Sequence, residues 1–217
     1  MNITRHPDAT WLLDYANGTL TPGFELLLSA HLAACPDCAM ALRDAERLGA
    51  ELMLGGPASA LTLKPDTIFD HEEDDSAWIK PRPANALERD RVDLQQLVGT
   101  YLDCGLGALP WRSAGKGLKI ARLRAGPDEK IWLLRAAPDT VLPRHTHGGS
   151  ELTLVLKGAY FARDAIYSAG DVEDADETVD HQPVVTRDGE CICLAVTEAP
   201  LRFHGWLPRL AQGFLGI

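Results

Sequence analysis

The sequence predicts an α+β multidomain protein, with a small N-terminal helical bundle followed by a C-terminal all-β barrel. In residues 8–54 apolar side chains recur at helical spacing, whereas after Val92 they fall into short segments separated by turn residues. The length of 217 residues accommodates two such domains. We expect a helical domain at 1–80, a linker at 81–92 and the barrel at 93–217.

Three helices are predicted in the first domain from capping residues and prolines. The first should end at Gly18, because glycine favours helix C-termini. Thr21 as N-cap and Pro22 in the first turn start the second helix, which should end near Ala34. A third helix is predicted over 36–54, where a Gly-Gly-Pro sequence then stops it.

The second half of the chain reads as strands at near-even spacing, which is typical of a sandwich or barrel. The predicted strands are 118–123, 130–136, 152–156, 159–162, 184–186, 191–196 and 201–203. Between the two halves we expect a fourth helix at 64–77, capped by Asp66. The alternating prolines of Lys80-Pro81-Arg82-Pro83 then indicate an extended linker.

The chain carries a formal net charge of −10, with 21 basic against 31 acidic side chains. DNA-binding proteins depend on basic faces, so direct nucleic-acid binding is not expected. An acidic surface favours a basic protein partner, although it also serves solubility alone. No apolar run is long enough for a membrane helix and the N-terminus lacks a secretion signal, so we expect a cytoplasmic protein without membrane attachment.

The first candidate metal site is the run from His31 to Cys38. His31, Cys35 and Cys38 are spaced four and three residues apart, so helical geometry would project them to one side. Thiolates and imidazoles are the ligands of structural zinc, and His6 is the best candidate for the fourth position, ahead of Asp8. The alternative is a core histidine beside two buried thiols. A thioredoxin-like redox pair is disfavoured because no strand precedes the cysteines.

The second candidate metal site lies in the predicted barrel. His145 and His147 are two residues apart and would face the same side of a strand. Glu151 opens the next strand, and His181 follows a predicted hairpin. Three imidazoles and a carboxylate that converge inside a barrel form a site for Zn, Mn, Fe or Ni.

Five cysteines, an odd number, argue against a disulfide framework. Cys191 and Cys193 are two apart on a predicted strand, where small thiols usually act as buried apolar side chains. The alternative is a redox-reactive pair close to the barrel metal. Cys104 is expected to belong to neither metal site.

The His-x-x-x-Cys-x-x-Cys motif from His31 to Cys38, with His6 upstream, resembles the zinc-binding anti-sigma domain. The resemblance covers about the first third of the chain. It implies a helical domain that clasps an extracytoplasmic-function sigma factor and blocks its contacts with the RNA polymerase core. An apolar excess in the predicted helices fits a partner surface, although these side chains could also fill the domain core or dock it on the barrel. The residues concerned are Leu12, Leu13, Leu20, Phe24, Leu26, Leu27, Leu28, Leu42, Leu48 and Leu52.

The run from His145 through Gly158 resembles the first motif of the cupin family, which folds as a double-stranded β-helix. Gly170 and His181 match part of the second motif. Two departures concern the loops. The glycine usually found six residues before the first histidine is Asp139 here, and the Pro-x-Gly of the second motif is missing.

A zinc anti-sigma domain joined to a cupin resembles the ChrR-type anti-sigma factors over nearly the whole chain. The resemblance implies a regulator that sequesters a sigma factor and releases it on oxidative stress of the singlet-oxygen type, with no catalytic residues. The main alternative is a metal-dependent cupin enzyme, a dioxygenase or isomerase, with an accessory zinc domain. A zinc-finger DNA-binding protein is opposed by the negative charge and by the lack of a basic recognition helix.

Overall fold

The structure is a computed structural model that describes residues 2–56, 92–124, 126–127 and 129–204. The helices are α1 (Ala9–Asn17), α2 (Pro22–Ala34), α3 (Pro36–Gly55) and α4 (Leu94–Tyr101), with a short 3₁₀ turn at Leu106–Ala108. The first three match the predicted helices, whereas α4 and the 3₁₀ turn were not predicted. The helix expected at 64–77 and the proline-rich linker at 80–83 lie outside the described residues.

Local sequence explains where α1 and α2 begin and end. Asp8 accepts a hydrogen bond from the backbone N–H of Thr10 at the start of α1, and Gly18 ends the helix in the left-handed region with a φ of 66°. The N-cap of α2 differs from the prediction, because the Thr21 side chain makes no cap hydrogen bond. Instead Thr21 hydrogen-bonds Glu129, a buried residue of the β half. The N-terminus of α2 is therefore capped from the other half of the chain.

The β half forms three antiparallel sheets. The strands are β1 (Arg112–Gly115), β2 (Leu118–Arg122), β3 (Lys130–Ala136), β4 (His145–Thr146), β5 (Glu151–Lys157), β6 (Ala159–Ala162), β7 (Ala165–Ser168), β8 (Val172–Ala175), β9 (Asp180–His181), β10 (Val184–Val185), β11 (Cys191–Thr197) and β12 (Arg202–Phe203). Six strands pair in the order β1-β2-β3-β11-β5-β8, and the smaller sheets have the orders β10-β6-β7 and β12-β4-β9. Each of the seven predicted strands is present to within a residue or two. Strand β4 was expected only as the strand that carries His145, and β1, β7, β8 and β9 were not predicted.

Strand β11 shows how the six-stranded sheet divides the molecule into two layers. It lies between β3 and β5 and is buried along its whole length. Ile192 and Leu194 belong to the core that the helices share, whereas Cys191 and Cys193 belong to a separate core on the other face. The period of two along a strand therefore sends alternate side chains to the helices and to the interior of the β half.

The N-terminal helices pack on the outer face of the six-stranded sheet. Helix α2 is apolar around its circumference, and Leu26, Leu27 and Leu28 are each at most 1% exposed. These leucines share one core with strand residues such as Leu152 and Leu194. Docking on the sheet thus accounts for much of the apolar excess in the helices. The exception is a group of large apolar side chains that stay exposed, namely Leu13, Met40, Leu48, Leu52, Met53 and Leu54.

No single helix within the described ranges is long and apolar enough to cross a membrane. Helices α2 and α3 reach the required length and composition only when they are taken together, and they are bent by 115° at the break between them.

Candidate metal centres

The structure brings together the four residues predicted for the N-terminal site. His6 precedes α1, His31 lies in the last turn of α2, Cys35 occupies the break between α2 and α3, and Cys38 lies in the first turn of α3. One ligand atom from each lies within 4.8 Å of all the others. His6 Nδ1 is 3.4 Å from Cys35 Sγ and 3.3 Å from Cys38 Sγ. The bend between α2 and α3 thus turns a helical spacing into a four-residue cluster.

Hydrogen bonding leaves one nitrogen of His31 free for a metal. The ring is fully buried, and its Nδ1–H donates to the carbonyl oxygen of Gly170 at 2.9 Å. Nε2 then carries the lone pair, and it has no hydrogen-bond partner among the residues that the structure describes. Burial lowers the pKa of His31 to about 4, so the ring is neutral at physiological pH. A neutral imidazole with an unpaired buried nitrogen fits a metal ligand.

The thiols of this cluster also fit a bound cation. Burial and the neighbouring Cys35 raise the pKa of Cys38 to about 12. A thiolate is therefore unfavourable here without a positive charge, and a bound metal ion supplies that charge. Two thiols and two imidazoles form the donor set of many structural zinc sites.

The β half holds the backbone immediately before His6. Asp171 Oδ1 accepts hydrogen bonds from the backbone N–H groups of Thr4 and Arg5, at 2.7 and 3.0 Å. The backbone N–H of Val172 donates to the carbonyl oxygen of Arg5 at 3.1 Å. The N-terminal segment therefore runs along β8, the edge strand of the large sheet.

The second cluster consists of His145, His147 and His181, whose ligand atoms lie within 4.8 Å of one another. His145 on β4 is the direct register partner of His181 on β9, so strand pairing places these two rings side by side. His147 immediately follows β4, two residues after His145, and its side chain is 0% exposed. All three rings are buried, as expected for metal ligands in the interior of the β half.

The hydrogen bonds of this cluster direct two lone pairs at each other. His145 Nδ1–H donates to the Pro143 carbonyl oxygen at 2.8 Å, and His181 Nδ1–H donates to Glu173 Oε1 at 3.0 Å. Both Nε2 atoms then carry lone pairs, yet they lie only 3.0 Å apart. Two facing lone pairs repel unless a cation or a proton lies between them. The arrangement fits metal ligation, with the Nδ1 partners fixing the ring orientations.

Glu151 lies next to the three histidines but is not one of the compact group. It opens β5 as predicted, and its Oε2 lies 3.5 Å from His147 Nδ1. Neither that oxygen nor either ring nitrogen of His147 makes a hydrogen bond within the described part of the chain. Buried polar atoms are seldom left unpaired, so this set also fits ligands that a metal would satisfy.

Comparison with known proteins identifies the family to which this chain belongs. Residues 103–200 match the family model described as the ChrR Cupin-like domain. The chain is 35% identical, over 218 residues that cover 100% of both proteins, to the anti-sigma-E factor ChrR of Cereibacter sphaeroides. This chain belongs to the ChrR family. Its structure is also similar to a chain in the crystal structure of Rhodobacter sphaeroides SigE in complex with the anti-sigma ChrR, with a TM-score of 0.70, 31% identity and coverage of 90% of this chain and 100% of that chain.

The backbone conformation explains how Asp139 can stand where the cupin motif usually has a glycine. This residue adopts a φ of 58°, the left-handed region that glycine occupies most easily. Aspartate is one of the few other residues that tolerate this conformation. At the end of the motif Gly158 has a φ of 73°, and a Cβ atom there would lie 2.3 Å from the carbonyl oxygen of Glu190. The loop keeps its shape at the first position without glycine, whereas the second position requires glycine.

One residue beside the cupin cluster was missed in the sequence. Glu173 on β8 is 3% exposed, and it accepts hydrogen bonds from His181 and from the hydroxyl of Tyr160, the latter at 2.6 Å. Burial acts to raise its pKa, but the contacts with His181, Tyr160 and Arg163 outweigh burial and lower it. Glu173 therefore stays ionised and orients His181. The only sequence signal was its position three residues after Gly170.

The interior of the β half contains a cavity of about 300 Å³ beside the histidines. Its walls are mostly apolar and include Trp132 and Phe203. Cys191 and Cys193 also line it as free thiols, with their sulfur atoms 3.6 Å apart. Cys104 lies in neither cluster.

Proposed function

We propose that this ChrR-family chain is an anti-sigma factor: it binds an extracytoplasmic-function sigma factor and so regulates transcription. The observation that carries the proposal is similarity over the full length to a protein named anti-sigma-E factor ChrR. The solved relative is in complex with SigE, which supports a sigma factor as the partner. Because the full-length relative is a regulator, a regulatory role is favoured over a cupin enzyme. A sigma partner also implies the cytoplasm, where RNA polymerase acts.

Zinc is the proposed metal of the N-terminal site, with His6, His31, Cys35 and Cys38 as ligands. The two thiols support this choice over Mg²⁺ or Mn²⁺, which prefer oxygen. A domain of about 80 residues gains much of its stability from such an ion. We place this domain at 1–80, the linker at 81–92 and the cupin domain, as a barrel, at 93–217.

For the cupin site we propose zinc, with Mn, Fe or Ni as alternatives, held by three histidines and a carboxylate. The ligands are His145, His147, Glu151 and His181. The unpaired buried atoms of His147 and Glu151 support the assignment. Imidazole and carboxylate suit all four metals, so the donor set favours none of them strongly.

The exposed half of α3 is the proposed sigma-binding surface. Beyond Leu42 the helix has no buried residue, although Leu48, Leu52 and Leu54 are 56%, 71% and 86% exposed. Leu48 and Leu52 are four residues apart and form one stripe on the helix. A helical segment with an exposed apolar stripe is a typical partner-binding element.

Release is proposed to begin at the cupin site, in response to singlet oxygen or a related oxidant. The site is buried beside a cavity that also exposes two free thiols, so an oxidant that enters would meet metal ligands and sulfur together. A loss of about 3 kcal/mol in sigma binding would lower affinity by about two orders of magnitude.

The proposal is tested by purifying the chain with its sigma factor and following sigma-dependent transcription. We expect a complex of near-equal stoichiometry that inhibits transcription, and inhibition that an oxidant relieves. Replacement of His145, His147 or His181 should abolish the relief while inhibition persists. A chain that captures no sigma factor would overturn the anti-sigma assignment, and relief that survives all three replacements would exclude the cupin site from sensing.

A further inference from the structure

Strand β8 and the turn before it contact both metal clusters. The Gly170 carbonyl oxygen accepts the hydrogen bond from His31, and Asp171 holds the backbone that flanks His6. Two residues further on, Glu173 accepts the hydrogen bond from His181 of the cupin cluster. Four consecutive residues, 170–173, thus touch ligands of both sites.

The period of two along β8 explains how one strand reaches two sites. Val172 belongs to the core shared with the helices, whereas Glu173 lines the interior cavity. Asp174 points to the helical side again, where its Oδ2 accepts hydrogen bonds from the backbone N–H of Asp8 and from the indole of Trp11, each at 3.0 Å. The two faces of this strand therefore serve the two halves of the molecule.

The turn that precedes β8 is held by hydrogen bonds to itself and to β5. Asp171 Oδ2 accepts the backbone N–H of Ser168 at 2.7 Å, which closes the turn. The backbone N–H of Gly170 donates to the Val155 carbonyl oxygen at 2.8 Å, and the N–H of Val155 donates to the Asp171 carbonyl oxygen at 3.1 Å. A shift of Glu173 is thus transmitted to Gly170 and Asp171.

We propose that residues 170–173 couple the two metal sites, so that a metal at the cupin site strengthens metal binding at the N-terminal site. Asp171 and Glu173 are positioning residues in this arrangement: each orients metal ligands without binding the metal. The inference rests on the proposed function, because it assumes that both clusters hold metals. Through this coupling, a change at the cupin site would alter the helices proposed to bind the sigma factor.

Coupling between two binding sites is reciprocal in free energy. A metal fixes the ring of His181, and His181 fixes Glu173 and hence β8. The same chain of contacts runs backwards from His31 and His6. An empty cupin site should therefore lower metal affinity at the N-terminal site by some factor. An empty N-terminal site must then lower metal affinity at the cupin site by the same factor.

The test uses the full chain loaded with Co²⁺, because thiolate-to-cobalt absorption reports the N-terminal site separately. Loss of the band in Cys38→Ser assigns it to that site. Affinity is then measured by competition with a chelator in the wild type, in Glu173→Gln and in a matched control, Glu177→Gln. Glu177 lies four residues further along the chain and is exposed.

We expect Glu173→Gln to weaken Co²⁺ binding at the thiolate site by about fivefold or more, the lower end of the usual coupling between two binding sites. Glu177→Gln should match the wild type. Asp171→Asn provides a second variant, because it disturbs the turn from the N-terminal side and should weaken the cupin metal. Thermal unfolding and sigma binding identify any variant that fails to fold.

Two outcomes separate this inference from the proposed function. If the wild type shows the thiolate band and binds the sigma factor, but Glu173→Gln and Asp171→Asn leave the distant site unchanged, the coupling is wrong and the anti-sigma assignment stands. If the wild type binds no metal at the thiolates, the proposed N-terminal zinc site and the coupling are both wrong, whereas the anti-sigma assignment is wrong only if the chain also fails to bind the sigma factor.

Discussion

The exposed leucine stripe on α3 gives the sharpest test of sigma binding. We consider the double variant Leu48→Asp, Leu52→Asp. Complete burial of a leucine side chain contributes about 1.5–3 kcal/mol. Since 56% and 71% of these two residues are exposed and available to a partner, their burial contributes about 2–4 kcal/mol. Loss of that burial should weaken sigma binding about 30- to 850-fold, before any cost of burying the new carboxylates.

The opposite face of α3 provides the matched control. Ala50 is exposed and lies four residues after Glu46, so Ala50→Asp gives that face the same pair of carboxylates. Isothermal titration against the sigma factor should show wild-type affinity for this control. Metal content and thermal stability should be unchanged in both variants, because all of these positions are exposed. Equal affinities for the double variant and the control would show that the stripe does not bind the sigma factor.

Three further predictions concern stability and metal binding. Glu129→Ala removes the buried carboxylate that accepts the backbone N–H of Gly23, so urea unfolding should show a loss of about 1–3 kcal/mol. Gly158→Ala combines a left-handed φ with a contact at 2.3 Å to the Glu190 backbone, so it should cost more than about 3 kcal/mol or prevent folding, as circular dichroism would reveal. Cys38→Ser should reduce bound metal by one equivalent in elemental analysis and lower the unfolding temperature; an unchanged metal count would contradict the N-terminal site.

Much of the fold follows from local sequence signals. The α2 start at Pro22, the α3 start at Pro36 and the bounds of β3 and β6 all match the prediction, because caps, prolines and short apolar runs act locally. The ChrR resemblance is confirmed by the full-length relative. The metal ligands remain a prediction, which the clustering of their side chains supports.

Helix α4 was missed although its signals were present. Asp93 caps it by accepting hydrogen bonds from two backbone N–H groups, and Leu94, Val98 and Tyr101 recur at helical spacing on its buried face. The helix lies at the point where the pattern changes from helical to strand-like. Its residues therefore fall within the range predicted for the β half.

Strand β8 is a different case, because its sequence is polar and the partners of its side chains lie on other elements. The run Val-Glu-Asp-Ala lacks the apolar alternation of a half-buried strand. Glu173 faces His181, and Asp174 faces the start of α1, more than 160 positions away. Each polar side chain has a specific tertiary partner, and such pairings leave no local pattern to read.

The same strand forms a contact between the two halves that composition alone does not reveal. An edge strand exposes unpaired backbone groups, which proteins normally cover. Here the N-terminal segment covers β8, because the backbone N–H of Val172 donates to the carbonyl oxygen of Arg5. The next residue in this segment is His6. The contact that protects the sheet edge thus also positions a metal ligand. An event that displaces β8 must disturb His6 as well, so the position of this segment makes the helical half responsive to the β half.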